Sequence, residues 1–323
     1  MSGVYMLSLI FLLSGFVPLI YGGNLLVDAA TALAKRFNIP NIVIGLTIVS
    51  FGTSAPELVV NIFAAINHNS SIVLGNVLGS NIVNILGILG VSAIIYPLTV
   101  KSNTTWIEVP LCLMSVLILF VTANDVIIDH ASISSISRID GIILLSFFLI
   151  FISYNFQLIK SGEFSQEIPT KNYTTLKSIL FMGLGLALLM LGGKIIVQFA
   201  TKLAFQLGFS ERVIALTIVS LGTSLPEMVT SIIAAMKRNV DIAIGNIVGS
   251  NIFNVFLILG VSSTIYPVEV PANVNFDLGV NIVASLLLFM FIFTGKGRKI
   301  ERWEGILFNI FYLAYIAVIL IKP

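Results

Sequence analysis

Two stretches of the chain, offset by 170 residues, carry nearly the same text. Val43 to Pro97 contains GTSAPELV followed by GNVLGSNIVN, and Val213 to Pro267 contains GTSLPEMV followed by GNIVGSNIFN, with about three positions in five identical and no gap. Each copy sets one glutamate, Glu57 or Glu227, inside a long apolar segment. An ionised carboxylate is expensive in hydrocarbon and normally marks a substrate path, and internal repeats are a recurring plan of membrane transporters.

The solvent is set by composition. Of 323 residues, 57% are hydrophobic and 10% charged, and the mean hydropathy is +1.06. Apolar runs of about 18 or more residues recur, each long enough at about 1.5 Å per residue to cross a hydrocarbon core about 30 Å thick. The chain therefore reads as an all-α polytopic membrane protein. Ten spans are expected, near 4–23, 42–66, 72–97, 106–123, 139–159, 175–196, 212–236, 242–267, 276–294 and 303–321. The first lacks a basic leader and a small-residue cleavage site, so it is expected to be a retained helix. A net charge of +2 without a basic cluster excludes a nucleic-acid partner. The single cysteine, Cys112, excludes an internal disulfide and sits in an apolar run as a packing residue.

The polar stretch Lys160 to Thr175 divides the chain into a first half, 1–160, a connector, 161–174, and a second half, 175–323. Five spans per half send the second half into the membrane from the opposite side, so the repeats are expected to be inverted. Basic residues agree: Lys35, Arg36, Lys101, Lys160, Lys171, Lys177, Lys237, Arg238, Lys296, Arg298, Lys299 and Arg302 fall on one face. The other holds Arg138, Lys194, Lys202, Arg212 and Lys322. The excess of Lys and Arg marks the cytoplasmic side and puts both termini outside. The stretch around Lys194 to Arg212 is the exception, and with its counterpart Asn24 to Val43 it reads as a helix end or an amphipathic stretch where lysines snorkel.

Within GTSAPE, Pro56 has no N–H, so the carbonyl of Gly52 loses its helical partner and the helix kinks. Freed backbone oxygens inside a membrane need another partner, and a cation or cavity water is the natural one. Glu57 adds a carboxylate, Thr53 and Ser54 add hydroxyls, and Gly222, Thr223, Ser224, Pro226 and Glu227 repeat the set. Ser50 and Ser220 join the candidates one turn earlier. Oxygen donors of this kind suit hard cations such as Ca2+ and Na+, and two glutamates formally balance one Ca2+. In GNVLGSNIVN, Gly75 and Gly79, like Gly245 and Gly249, allow close helix approach. Asn76, Ser80 and Asn84 form a polar stripe that Asn246, Ser250 and Asn254 copy, with Asn81 and Asn251 offset by one residue. These groups either ligate ions or hold the facing glutamate helix.

The paired GTSxPE and GNxxGSNIxN blocks resemble the signature repeats of the sodium/calcium exchanger family, within the calcium:cation antiporters. The resemblance implies an inverted-repeat fold with ion sites at the midplane between the second, third, seventh and eighth helices. It places Glu57 and Glu227 on the principal Ca2+ carboxylates and Thr53, Ser54, Thr223 and Ser224 on neighbouring Na+ or Ca2+ ligands. Ser80, Asn84, Ser250 and Asn254 fall on the ligand positions of the third and eighth helices. Several exchangers of this family carry an acid at one of the positions held here by Asn84 and Asn254, which leaves stoichiometry, potassium dependence and any proton role open.

The expected function is antiport of Ca2+ against Na+, with no enzymatic activity, no cofactor beyond the transported ions and no obligatory protein partner evident. A Ca2+/H+ antiporter using the same carboxylates and a cation channel are the alternatives. The short connector and absent targeting peptide favour a prokaryotic plasma membrane. Asp28 reads as a solvated helix-end residue, Asp125, Asp129, His130 and Asp140 as a solvated loop, and His68 as a turn residue without function. Asn69, Asn103 and Asn172 match a short glycosylation pattern that is common by chance.

Overall fold

The computed structural model describes residues 2–161, 171–206, 220–271, 274–295 and 297–321. Twelve helices carry the described fold: α1 (Ser2–Arg36), α2 (Asn41–Thr53), α3 (Ala55–Ile66), α4 (Ser70–Ile95), α5 (Thr104–Thr122), α6 (Arg138–Lys160), α7 (Thr175–Gln206), α8 (Ser220–Thr223), α9 (Leu225–Met236), α10 (Val240–Ile265), α11 (Val274–Thr294) and α12 (Arg302–Ile321). Among the described residues, eight single helices are long and apolar enough to span a membrane, and the bent pair α2–α3 makes a ninth. The expected connector and the start of the seventh span fall largely outside the described residues.

Burial runs against polarity. In α4 and α10, the helices rich in Asn, Ser and Gly, 78% and 94% of the most apolar stretch is buried, against 17% to 44% in the other single-helix spans. Side chains that need hydrogen-bond partners turn away from lipid, and small residues let the backbones approach. A Cβ on Gly45 of α2 would lie 3.1 Å from the Cα of Gly245 in α10. Both central helices also widen into a π-helical turn, Val83–Leu89 and Phe253–Leu259, that begins at or beside Asn84 and Asn254. Such local widening is common at functional sites.

Sharp turns join α3 to α4 and α9 to α10. His68 and Arg238 adopt positive φ after their helices (57° and 59°), and Asn69 and Asn239 then cap the next helix by accepting from the N–H of Ile72 and Ile242. Two short antiparallel clasps, β1 (Leu98–Thr99) with β4 (Lys299–Ile300) and β2 (Ser135–Ile136) with β3 (Val268–Glu269), tie the halves together at their ends.

Helices α1 and α7 form a pair on the flank of this core. Both run past the expected spans, 4–23 and 175–196, without a break. The reason lies in their contact: Gly15 meets Gly192 and Gly22 meets Gly185, so the backbones touch over several turns and the polar continuation at Asn24 stays helical. Asp28 is correspondingly not solvated, because Lys237 and Lys171 reach it at 2.6 and 2.9 Å. Asp125 and Asp140 likewise hold their own loop, accepting from the N–H groups of Ser135 and Ser137 at 2.8 Å, while Asp129 and His130 are exposed. Cys112 is buried and free.

A Cβ at Gly22 would lie 2.7 Å from the Gly185 carbonyl oxygen, whereas one at Gly183 would meet nothing within 4 Å. Gly22→Leu is therefore expected to destabilise the fold by about 1–3 kcal/mol through overpacking. Gly183→Leu should leave the unfolding midpoint in detergent unchanged, and equal midpoints for the two variants would refute the close packing.

Candidate functional site

The α2–α3 span bends by 48°. Its break falls at Ser54 (φ −84°, ψ 5°), and the second-half break falls at Ser224 (φ −85°, ψ 7°). Pro56 and Pro226 sit in the first turn after each break, where a missing N–H costs nothing. The result brings Glu57 and Glu227, each 1% exposed, to the start of a half-helix inside the bundle. There the unbonded N–H groups and the positive end of the helix dipole favour a carboxylate.

The polar contacts cross between the two repeats. Ser54 Oγ donates to Glu227 Oε1 at 2.9 Å and lies 3.0 Å from Ser250 Oγ. Its counterpart, Ser224 Oγ, donates to Glu57 Oε1 at 3.5 Å and lies 3.3 Å from Ser80 Oγ. Each break serine thus stands between the opposite glutamate and a serine of the opposite repeat's polar helix, and with one proton it can donate to only one of them at a time. Thr53 donates to Asn246 Oδ1 at 3.1 Å, and Thr223 to Asn76 Oδ1 at 3.5 Å. Asn246 and Asn76 turn their amide nitrogens to the Glu227 and Glu57 carbonyls and to Ser231 and Asn61.

Asn81 and Asn251 face each other, each donating to the other's carbonyl at 3.3 Å. Their side-chain oxygens accept at 2.9 Å from the amide nitrogens of Asn254 and Asn84. These bonds orient the second amide pair so that Asn84 Oδ1 and Asn254 Oδ1 are left without a protein donor, as are Glu57 Oε2 and Glu227 Oε2. Four buried oxygens, two of them on carboxylates, thus lack partners in positions related by the 170-residue offset. Leaving such groups unsatisfied is costly, and a hard cation is what they suit. Among the described residues there is no group of three or more His, Cys, Asp and Glu.

The remaining sequence candidates, Ser50, Ser220, Gly52 and Gly222, lie in the turns before the two breaks. Ser50 is fully buried and its hydroxyl donates to the Thr47 carbonyl at 3.4 Å. The side chain of Ser220 is outside the described residues. Sequence reasoning missed Asn61 and Ser231, the second partners of Asn76 and Asn246. Their one signal was polarity at matching positions of the two repeats.

The two halves of the site are not equally tight. The Ser224 and Thr223 contacts are longer than those of Ser54 and Thr53, and a crevice of about 680 Å³ runs along Pro56, Val60, Lys194, Gly222, Thr223 and Pro226 on that side.

A helical membrane bundle that buries two carboxylates on broken helices belongs to the class of ion-handling transport proteins. Sequence comparison refines this. The family described as "Sodium/calcium exchanger protein" matches residues 7–157 and 177–321. The chain is similar to the sodium/calcium exchanger MaX1 of Methanosarcina acetivorans, at 32% identity over 97% of this chain and 98% of that protein. It is also similar to the inner membrane protein YrbG of Escherichia coli K12, at 33% identity over 97% of each. A solved structure of the sodium-calcium exchanger NCX_Mj, soaked with 10 mM Na+ and zero Ca2+, superposes with a TM-score of 0.82 at 32% identity, covering 97% of this chain and 99% of that one. The chain belongs to the sodium/calcium exchanger family and is a multi-pass integral membrane protein.

Because Ser54 makes the shorter bond to its glutamate, Ser54→Ala is expected to cost about 1–3 kcal/mol of stability. Ser224→Ala should cost less. Unfolding curves in detergent test the order, and the reverse order would contradict the asymmetry.

Proposed function

We propose that the chain exchanges Ca2+ for Na+ as a secondary antiporter working by alternating access, with Glu57 and Glu227 as the shared ligands of both ions. The observation that carries this reading is the quartet of partnerless oxygens, Glu57 Oε2, Glu227 Oε2, Asn84 Oδ1 and Asn254 Oδ1, where the broken helices meet. Two negative charges are neutralised by one Ca2+ or by several Na+, so the ions compete for the same oxygens, and competition couples them. Without either ion the carboxylates are uncompensated in low dielectric, which opposes an uncoupled transition.

Thr53, Ser54, Thr223, Ser224, Ser80 and Ser250 complete the ligand shell in this reading, with Ser50, Ser220 and the carbonyls of Gly52 and Gly222 around it. Asn81 and Asn251 orient Asn84 and Asn254, and Asn76 and Asn246 brace the glutamate helices. The sodium/calcium exchange named for MaX1 and NCX_Mj supports sodium as the coupling ion.

The layout we propose is ten spans in two inverted five-helix repeats, 1–160 and 175–323, joined by a cytoplasmic connector at 161–174, in a prokaryotic plasma membrane. Contacts between loops support it. Lys101 pairs with Asp241, Lys237 with Asp28, and β1 with β4, all on the basic face. The His68–Tyr266 stack and the β2–β3 clasp join loops on the other face. An uninverted second half would put the members of each of these pairs on opposite sides. The looser contacts and the crevice then fall on the outer half, which describes a form tighter toward the cytoplasm.

In proteoliposomes, Glu57→Gln and Glu227→Gln are each expected to abolish Na+-driven 45Ca2+ uptake while the purified protein stays monodisperse. Near-normal exchange in both would overturn the site. Uptake driven by a pH gradient without sodium would instead identify proton coupling. Asn251→Ala, which releases Asn84, should weaken apparent Ca2+ affinity about 10–100-fold, the usual cost of losing a group that orients a ligand; an unchanged affinity would remove Asn251 from the site.

A further inference from the structure

Outside the exchange site, α5 carries another buried carboxylate. Glu108 is fully buried within a membrane-spanning helix. Tyr154 of α6 donates to its Oε1 at 2.5 Å, and its Oε2 has no hydrogen-bond partner. Glu108 lines a cavity of about 240 Å³ bounded by Pro40, Ile42, Lys101, Asn103 and Thr104. A space of that size is ample for water or a small ion.

The second half has a related pair one residue off the matching position, where Asp277 of α11 accepts from Tyr315 of α12 at 2.9 Å. At the 170-residue offset the counterpart of Glu108 is Leu278, which is equally buried. Glu108 is thus a fully buried carboxylate with one oxygen unpartnered, beside a cavity that the polar side chains of Lys101, Asn103 and Thr104 share with Pro40, Ile42 and Leu158. The nearby charges limit what it binds. Lys101 lines the same cavity but is held by Asp241 of α10 at 2.7 Å, and Tyr154 is a neutral donor. One carboxylate among hydroxyl and amide groups matches a single positive charge and lacks the acidic ligands that divalent ions favour.

We propose that Glu108 forms a second, accessory site that takes one monovalent positive charge, a proton or Na+, through the cavity at Lys101. The site adjoins Pro40 and Ile42 at the start of α2, whose far end breaks beside Glu57. Its occupant is therefore sensed at the base of the helix that carries one half of the exchange site. In the proposed topology this face is cytoplasmic, so the site reads the cytoplasmic cation.

The test is made first where the exchange site is disabled. In purified Glu57→Gln/Glu227→Gln protein, the thermal unfolding midpoint is measured with NaCl against N-methylglucamine chloride at constant ionic strength, and separately across pH without sodium. A rise of a few degrees with sodium identifies Na+, and a rise on acidification alone identifies the proton. In either case the rise must vanish when Glu108→Gln is added. The absence of any rise, or its persistence in the triple variant, overturns the proposal. Should the double variant not fold, the same comparison is made between the native chain and Glu108→Gln, reading how 45Ca2+ uptake depends on pH and Na+ at the Lys101 face. Glu108→Gln is expected to flatten that dependence, and an identical dependence in the two proteins overturns the proposal. The stability readout does not use calcium flux, so it stands or falls separately from the exchange reading.

Discussion

Two carboxylates held in the middle of a membrane bundle, each satisfied at one oxygen and unsatisfied at the other, set the terms for everything around them. Glu57 and Glu227 each receive a serine hydroxyl of the opposite repeat, at 3.5 Å and 2.9 Å. Each half places its acid by its own break, and the other half supplies the hydroxyl that meets it. A hydrogen-bonded carboxylate with a second, bare oxygen is a costly object in low dielectric unless a cation arrives. The two breaks, the buried polar helices and the interlocked asparagines all serve to keep it there without closing it off.

The break itself has a local cause and a tertiary consequence. Proline at positions 56 and 226 removes one helical donor, and the chain turns at the serine two residues earlier. Beyond the turn, a half-helix presents its first turn and its acid to the bundle interior. Glycine contacts between α2 and α10 let the backbones come close enough for Thr53 and Ser54 to reach Asn246 and Ser250. The same use of small residues recurs between α1 and α7, where two long helices lie against each other on the flank of the bundle.

Much of this architecture is legible in the residues. The repeat, the apolar runs and the proline-glutamate spacing point to a multi-span helical protein with paired carboxylates, and the resemblance of the blocks names the family that comparison assigns. The lengths of α1 and α7 were not legible, because the polar residues after Gly22 and Gly193 look like span ends until the partner helix is seen. Asp28 was misread for the same reason: its lysine partners are distant in sequence. Glu108 carried no motif at all, and only its burial against Tyr154 and the Lys101 cavity sets it apart.

The amino-acid sequence by itself determined which groups are present and how often: two acids on two proline-broken segments, two Asn/Ser/Gly stripes, and apolar length enough to make the rest span a bilayer. Those are properties of composition and spacing, which act along the chain through helix geometry and desolvation. Tertiary structure decided which oxygens are consumed and which are left over. Asn81 and Asn84, or Thr53 and Ser54, look equivalent as donors until the partner repeat is in place. Hydrogen bonds saturate one partner at a time, so the choice between ligand and brace depends on the groups that cross over from the other half.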